Sequence, residues 1–321
     1  MWKVQVNGWA LCVALLCVMA LVGCKRTSKS NTDGKLYVVT TTGMLADAVK
    51  RVGGDKVRVE GLMGPSVDPH LYKATAADTR KLAEAKLIIY NGLHLEGKMQ
   101  EILTKMGRSK PVVAATDKID RKLLRKPAGY KGAHDPHVWF DVSLWQHVVK
   151  RVGEALVKVD AKNKAVYEAN AKAYNKELGT LHSWVKKELA GIPQTRRYLV
   201  TSHDAFGYFG QAYGLKVVGL QGISTVTEAG LKDIERVIDL IVSKKLPAIF
   251  AETSVSDNAV KAVMERCARR KHKVAMGGKL YSDAMGKAGT PEGTYVGMVR
   301  FNVNTVRNAL GAAKPPKARN K

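Results

Sequence analysis

From Leu36 onward, short β-branched runs alternate with stretches whose apolar residues recur every three to four positions. Strand character falls at residues 36–42, 57–63, 87–91 and 112–116, and helical spacing at 44–52, 76–85 and 95–106. Thr75, three residues ahead of Asp78, marks the start of the second of these helices as an N-cap. The rhythm returns in the second half. Strands are predicted at 198–202, 215–220, 248–252 and 273–276, and helices at 205–213, 228–244, 255–270 and 295–310. Such alternation specifies an α/β protein in which a parallel β-sheet is flanked by helices, here twice over.

Residues 143–189 break the pattern. No strand signal appears there, and Trp145, Val148, Val149, Val152, Ala155, Leu156 and Val159 fall on one helical face. The polar residues 160–164 mark a break before a second helical stretch at 166–189. The reading is two α/β lobes, 36–142 and 190–321, joined by a long helical connector, 143–189. A chain of 321 residues is long for one core, which agrees with two lobes. A helical connector is stiff and resists wide hinge opening, and the lobes are expected to have independent cores.

The first residues belong to no fold. Lys3 supplies a thin positive charge, and an apolar run extends from Trp9 to Val22. It falls short of the roughly 20 residues that span a bilayer comfortably, and it reads as a cleaved signal peptide over 1–23. Leu21-Val22-Gly23-Cys24 resembles a bacterial lipobox, which makes Cys24 the lipidation site. Residues 24–35 then form a polar, flexible tether. The expected location is extracytoplasmic, lipid-anchored to a bacterial membrane, in the periplasm or at the cell surface. Of the four cysteines, Cys12 and Cys17 lie in the leader and Cys24 carries lipid. Cys267 is left alone in the body. It is expected to be a buried thiol, since a zinc-thiolate site would need partners.

The formal charge of +25 raises the question of nucleic acid. Lysine and arginine are spread along the chain without interleaved aromatics, so no nucleic-acid partner is expected. Attraction to anionic membrane or cell-wall polymer fits better. A basic surface repels cations at long range, so any metal affinity has to come from a local site.

Eight histidines are present. His94, His147, His182 and His272 sit among charged residues and read as surface or capping groups. His134 and His137 are separated by Pro136 and cannot form a helical metal pair. His70, His137 and His203 stand apart. His70 and His203 follow or end candidate strands, where open α/β sheets bind ligands. His70 and His137 both lie in Asp-Pro-His, where proline restrains the backbone on either side. Asp283 follows the last candidate strand. Imidazole suits zinc, and a carboxylate extends the range toward manganese. From spacing alone, metal ligation and structural roles at strand ends stand side by side.

Longer motifs add to this. Gly61-Leu62-Met63-Gly64, Val67-Asp68-Pro69-His70-Leu71-Tyr72 and Tyr90-Asn91-Gly92-Leu93-His94-Leu95-Glu96 lie in the first half. Asp135-Pro136-His137-Val138-Trp139-Phe140-Asp141 and Thr201-Ser202-His203-Asp204-Ala205-Phe206-Gly207-Tyr208-Phe209 follow, then Gly219-Leu220-Gln221-Gly222. Pro247-Ala248-Ile249-Phe250-Ala251-Glu252 and Leu280-Tyr281-Ser282-Asp283-Ala284-Met285-Gly286 close the series. Together they resemble the TroA-like zinc/manganese-binding lipoproteins of ABC importers over nearly the whole chain after the tether.

The resemblance implies a metal site in the cleft between the lobes, with His70, His137, His203 and Asp283 as ligands. It implies one Zn2+ or Mn2+ per chain, carried as transported ligand by a monomer and delivered to an ABC permease and its ATPase. It also implies that the protein is not an enzyme. Several zinc-dedicated members of the family carry a His-rich loop after the first lobe, and manganese-dedicated members tend to carry Glu at the third ligand position. This chain has neither.

Metal-bound imidazole usually donates its other N–H to a carboxylate or carbonyl, and Asp68, Asp135, Asp204 and Glu252 are candidates for that role. Two alternatives remain at this stage. One is a zinc-dependent hydrolase with Glu252 as base. The other is a binding protein for a metal chelate or haem, which would need a roomy pocket.

Overall fold

Tyr37 and Val39 are buried on one face of the first strand and Val38 on the other, as expected of a parallel strand covered by helices on both sides. The computed structural model describes residues 34–127, 130 and 134–311, together with Trp2. Apart from Trp2, the expected signal peptide 1–23 lies outside the described residues, as do the expected lipidation site Cys24 and the expected tether up to Asp33. Among the described residues, no helix is long and apolar enough to cross a membrane.

The N-terminal lobe runs β1 (Leu36–Thr40), α1 (Gly43–Gly53), β2 (Val57–Gly61), α2 (Ala76–Glu84), β3 (Leu87–Tyr90), α3 (Gln100–Gly107) and β4 (Val112–Ala114). Its sheet has the order β2-β1-β3-β4, with every pair parallel. The Thr75 signal is a full capping box. The Thr75 hydroxyl accepts the Asp78 N–H, and the Asp78 carboxylate accepts the Thr75 N–H.

Two helices follow, α4 (Val142–Val159) and α5 (Lys164–Ala190). The 27 residues of α5 span about 40 Å at 1.5 Å per residue. Asn170 on α5 donates to the Val52 carbonyl of the first lobe at 3.0 Å. At its other end, Arg197 of the second lobe donates to the Ala190 carbonyl at 2.7 Å.

The C-terminal lobe comprises β5 (Tyr198–His203), α6 (Gly207–Tyr213), β6 (Lys216–Gln221), α7 (Leu231–Lys244), β7 (Ala248–Glu252), α8 (Asn258–Arg269), β8 (Ala275–Leu280) and α9 (Tyr295–Ala309). β5 pairs with β6 and β7 with β8, both in parallel, and β5 lies beside β7. The C-terminal ends of β5 and β7 lie together, where the His203 N–H donates to Glu252 Oε1. β8 starts later than the sequence pattern predicts and runs further. Gly277 and Gly278 obscure its strand character, and Gly278 adopts φ +145° at a register shift opposite Phe250.

The expectation of independent cores does not hold. One continuous apolar cluster contains Val38, Leu87 and Ile89 of the first sheet, Trp145 and Leu178 of the connecting helices, and Leu199, Phe250 and Leu280 of the second lobe. Trp145 on α4 stacks on Tyr295 of α9 with ring centroids 5.1 Å apart. Asp47 on α1 accepts from both the Tyr174 hydroxyl of α5 and the Tyr295 N–H. Connector helices that bury a broad apolar face thereby join the lobes along one side. Each lobe also has a smaller cluster of its own. The one in the C-terminal lobe includes the buried Cys267.

Candidate metal centre

The topology gives each chemically distinctive side chain its position. His203 is the last residue of β5, and Asp283 lies three residues past β8. His70 ends the segment after β2, and His137 immediately precedes a 3-10 turn at Val138–Phe140. All four side chains are buried and converge. One ligand atom from each can be chosen so that all lie within 4.8 Å of one another. His70 Nε2 is 3.3 Å from His137 Nε2 and 3.5 Å from Asp283 Oδ2. His137 Nε2 is 3.5 Å from Asp283 Oδ1, and His203 Nε2 is 3.3 Å from Asp283 Oδ2. A tetrahedron with bonds of about 2.0–2.1 Å has edges of roughly 3.3–3.4 Å. The arrangement is thus the size of one first-row ion.

Among the described residues, His203 Nε2 and both Asp283 carboxylate oxygens are buried without a hydrogen-bond partner. Leaving buried polar atoms unmatched is costly, and a coordinated cation removes that cost.

Two of the four candidate carboxylates support the rings. Asp135 Oδ1 lies 2.8 Å from His137 Nδ1 and also accepts the His137 N–H at 3.0 Å. Glu252 Oε2 lies 2.5 Å from His203 Nδ1, while its Oε1 accepts the His203 N–H at 2.8 Å. In both cases Nδ1 is the donor, so Nε2 points its lone pair at the common centre when the ring is neutral. The other two candidates do not fill this role. Asp68 Oδ1 accepts the His70 backbone N–H at 2.9 Å, a turn-forming contact of the kind aspartate favours. Asp204, although next to His203, makes no hydrogen bond to any of the rings among the described residues.

Several positioning groups were assigned no role from the sequence, although Asn91, Glu96, Gly207 and Tyr208 lie within its quoted motifs; Arg125 had no signal at all. Arg125 Nη1 pairs with Asp135 Oδ2 at 2.9 Å. Its backbone N–H donates to the Tyr208 hydroxyl, which donates to the Asp135 carbonyl at 2.9 Å. Gly207 leaves room for this guanidinium, since a Cβ there would sit 1.0 Å from Arg125 Nη1. The buried Glu96 accepts the Asn91 N–H and the Thr41 hydroxyl, and Asn91 Nδ2 donates to the Pro136 carbonyl at 3.0 Å, next to His137. Thr41 and Glu96, Asn91 and Pro136, and Tyr208 with both Arg125 and Asp135 are far apart in the chain, and only the fold places them together.

Burial holds His70 down to about 3. The other two imidazoles add to this and Asp283 partly offsets it. Burial also opposes charge on His203, but the Glu252 and Asp283 carboxylates outweigh it and raise that ring well above the usual histidine value. Asp283 is buried as well, yet the His203 and His137 rings hold it well below the ordinary carboxylate range. The centre thus combines a neutral imidazole, a proton-holding imidazole and an ionised carboxylate.

The remaining histidines lie elsewhere. His94 and His147 are exposed, His182 contacts the Tyr213 hydroxyl, and His272 contacts the Leu246 carbonyl. His134 does not join the cluster.

Two lobes on a stiff helical spine, with three imidazoles and one carboxylate converging between them, define a metal-ion-binding protein of the two-lobed solute-receptor class. Residues 38–309 match the family model described as zinc-uptake complex component A, periplasmic, and the chain belongs to that family. It is 46% identical over 301 residues to the manganese-binding lipoprotein MntA of Bacillus subtilis, covering 94% of this chain and 98% of that one. It is equally 46% identical, over 305 residues, to the zinc-binding protein TroA of Treponema pallidum, again covering 94% and 98%. The structure of periplasmic zinc-binding TroA from Treponema pallidum superposes with a TM-score of 0.84 at 48% identity, covering 86% of this chain and 99% of that one. The family and these relatives are solute-binding proteins and not enzymes.

Proposed function

We propose that this protein captures one zinc or manganese ion outside the cytoplasm and hands it to an ABC permease driven by its ATPase. In this reading His70, His137, His203 and Asp283 are the ligands. Cys24 carries the lipid that holds the mature chain to the membrane, and the protein works as a monomer. The ion sits between an N-terminal lobe of residues 36–142 and a C-terminal lobe of 190–321, bridged by the connector 143–189. The choice of zinc or manganese is supported by the relatives named as zinc-binding and manganese-binding.

The observation that carries the reading is the convergence of four buried ligand groups from distant parts of the chain, with three of their atoms otherwise unpartnered. Nitrogen-rich coordination favours zinc, while both oxygens of Asp283 lie close enough to the rings for the bidentate carboxylate contact that suits manganese. No step of chemistry is needed. The ligands replace the ion's water, and release follows when the permease separates the cleft.

The geometry disfavours the hydrolase alternative. Both oxygens of Glu252, the candidate base, are already engaged by His203, so it is not free to act as the base that hydrolysis requires. A site whose ligand atoms all lie within 4.8 Å also suits a single ion and not a macrocycle or chelate. The test is calorimetric titration of the purified protein with zinc and manganese. One equivalent should bind, and binding should be lost in Asp283→Ala. Binding that survives that substitution would contradict the assignment.

A further inference from the structure

We propose that Thr225 is a positioning residue whose hydrogen bond to Asp68 holds the His70 segment closed and sets how long the ion stays bound. The inference rests on the reading of His70 as a ligand. Three of the four proposed ligand groups have anchors in the C-terminal lobe. His203 and Asp283 are part of that lobe. His137 precedes the connector and is held from both sides, by Asn91 Nδ2 on the Pro136 carbonyl from the first lobe and by two bonds to the C-terminal lobe. The Tyr208 hydroxyl donates to the Asp135 carbonyl, and Trp139 Nε1 donates to the Ser282 carbonyl at 3.0 Å.

His70 is held differently. Its segment hangs from the first sheet through the Leu62 and Met63 N–H groups, which donate to the Thr40 and Thr41 carbonyls. Across the cleft, among the described residues, that segment makes one hydrogen bond to the C-terminal lobe. The Thr225 hydroxyl donates to Asp68 Oδ2 at 2.6 Å. The other oxygen of the same carboxylate accepts the His70 N–H at 2.9 Å. Thr225 is thus coupled to the backbone of His70 through a single side chain. A hydroxyl donating to a carboxylate is a charge-assisted contact, and Thr225 is buried, so water competes poorly for it.

The bond crosses from the His70 segment to the C-terminal lobe, and in this proposal it breaks when the cleft opens, so it stabilises the closed state over the open one. Its loss should therefore act on release and leave capture alone. The experiment is stopped-flow release of Zn2+ from the purified full-length lipoprotein into excess chelator, alongside the capture rate and the melting temperature without metal. Thr225→Val, which keeps the shape and removes the donor, should release Zn2+ about tenfold faster or more. Capture and the metal-free melting temperature should be unchanged, and Thr225→Ser should restore slow release. Unchanged release in Thr225→Val, while the parent protein binds one Zn2+, overturns the latch and leaves the ligand reading intact. Slower capture together with a lowered metal-free melting temperature also overturns it, by marking Thr225 as merely structural. A parent protein that binds no Zn2+ overturns both.

Discussion

Glu252 grips His203 twice, with Oε2 2.5 Å from the ring Nδ1 and Oε1 2.8 Å from the backbone nitrogen of the same residue. One carboxylate at the end of β7 thereby fixes both the place and the tautomer of a ring at the end of β5. Replacing it by glutamine removes the negative charge and one of two acceptors. Glu252→Gln should bind zinc about 10- to 100-fold more weakly and should still fold. Competition against a fluorescent chelator measures this, and an unaltered affinity would show that Glu252 does not support the ring.

The same pair sets a pH dependence. His203 in the metal-free protein titrates well above the usual histidine value, so at pH 7 it holds a proton that the ion has to displace. His70, at about 3, is already neutral, and Asp283 is already ionised, so neither contributes a proton there. Binding at pH 7 should release about one proton, and affinity should fall about tenfold per pH unit on acidification between pH 7 and 5. Titration calorimetry in buffers of different ionisation heat counts the proton. A count of zero would contradict the charge assignment.

Ligand deletions should differ in their structural cost. Asp283→Ala removes two buried oxygens that have no hydrogen-bond partner, and the His203 ring it leaves behind can shed its proton and keep its bond to Glu252. The substitution should abolish tight metal binding while moving the metal-free melting temperature by no more than about 2–4 °C, the equivalent of roughly 1 kcal/mol. His203→Ala should also abolish binding, but it strands the buried Glu252 carboxylate and should lower the melting temperature further. Equal melting temperatures for the two variants would contradict this.

Arg125 and Gly207 should behave as one unit. A methyl group at 207 would occupy the space of the Arg125 guanidinium and pull it from Asp135, which orients His137. Gly207→Ala and Arg125→Ala should each weaken zinc binding several-fold. The double variant should be little worse than either alone, since coupled neighbours are not additive. Fully additive losses measured by titration would show that the two act separately.

Much of this was legible in the linear pattern. Alternating β-branched runs and helical faces imply two parallel-sheet lobes, because burial on both faces of a sheet requires continuous apolar strands and a helix requires a 3.6-residue period. The motifs around His70, His137, His203 and Asp283 singled out four residues, and Asp135 and Glu252 stood among their expected supports. The grouping of the four came from the resemblance to TroA-like lipoproteins, since spacing alone left structural roles at strand ends equally open. β8 was partly hidden because glycines 277 and 278 lack the side chains that signal a strand.

Only the tertiary structure decided the rest. It joined the lobes through a shared core, because the outcome depends on which faces of α4, α5 and α9 meet. It chose Asp135 and Glu252 over Asp68 and Asp204 as imidazole partners, and it brought Arg125 to Asp135 and Thr225 to Asp68. Hydrogen bonds between residues as distant as 68 and 225 depend on distance and angle in space, and the order of residues along a chain encodes those only through the fold.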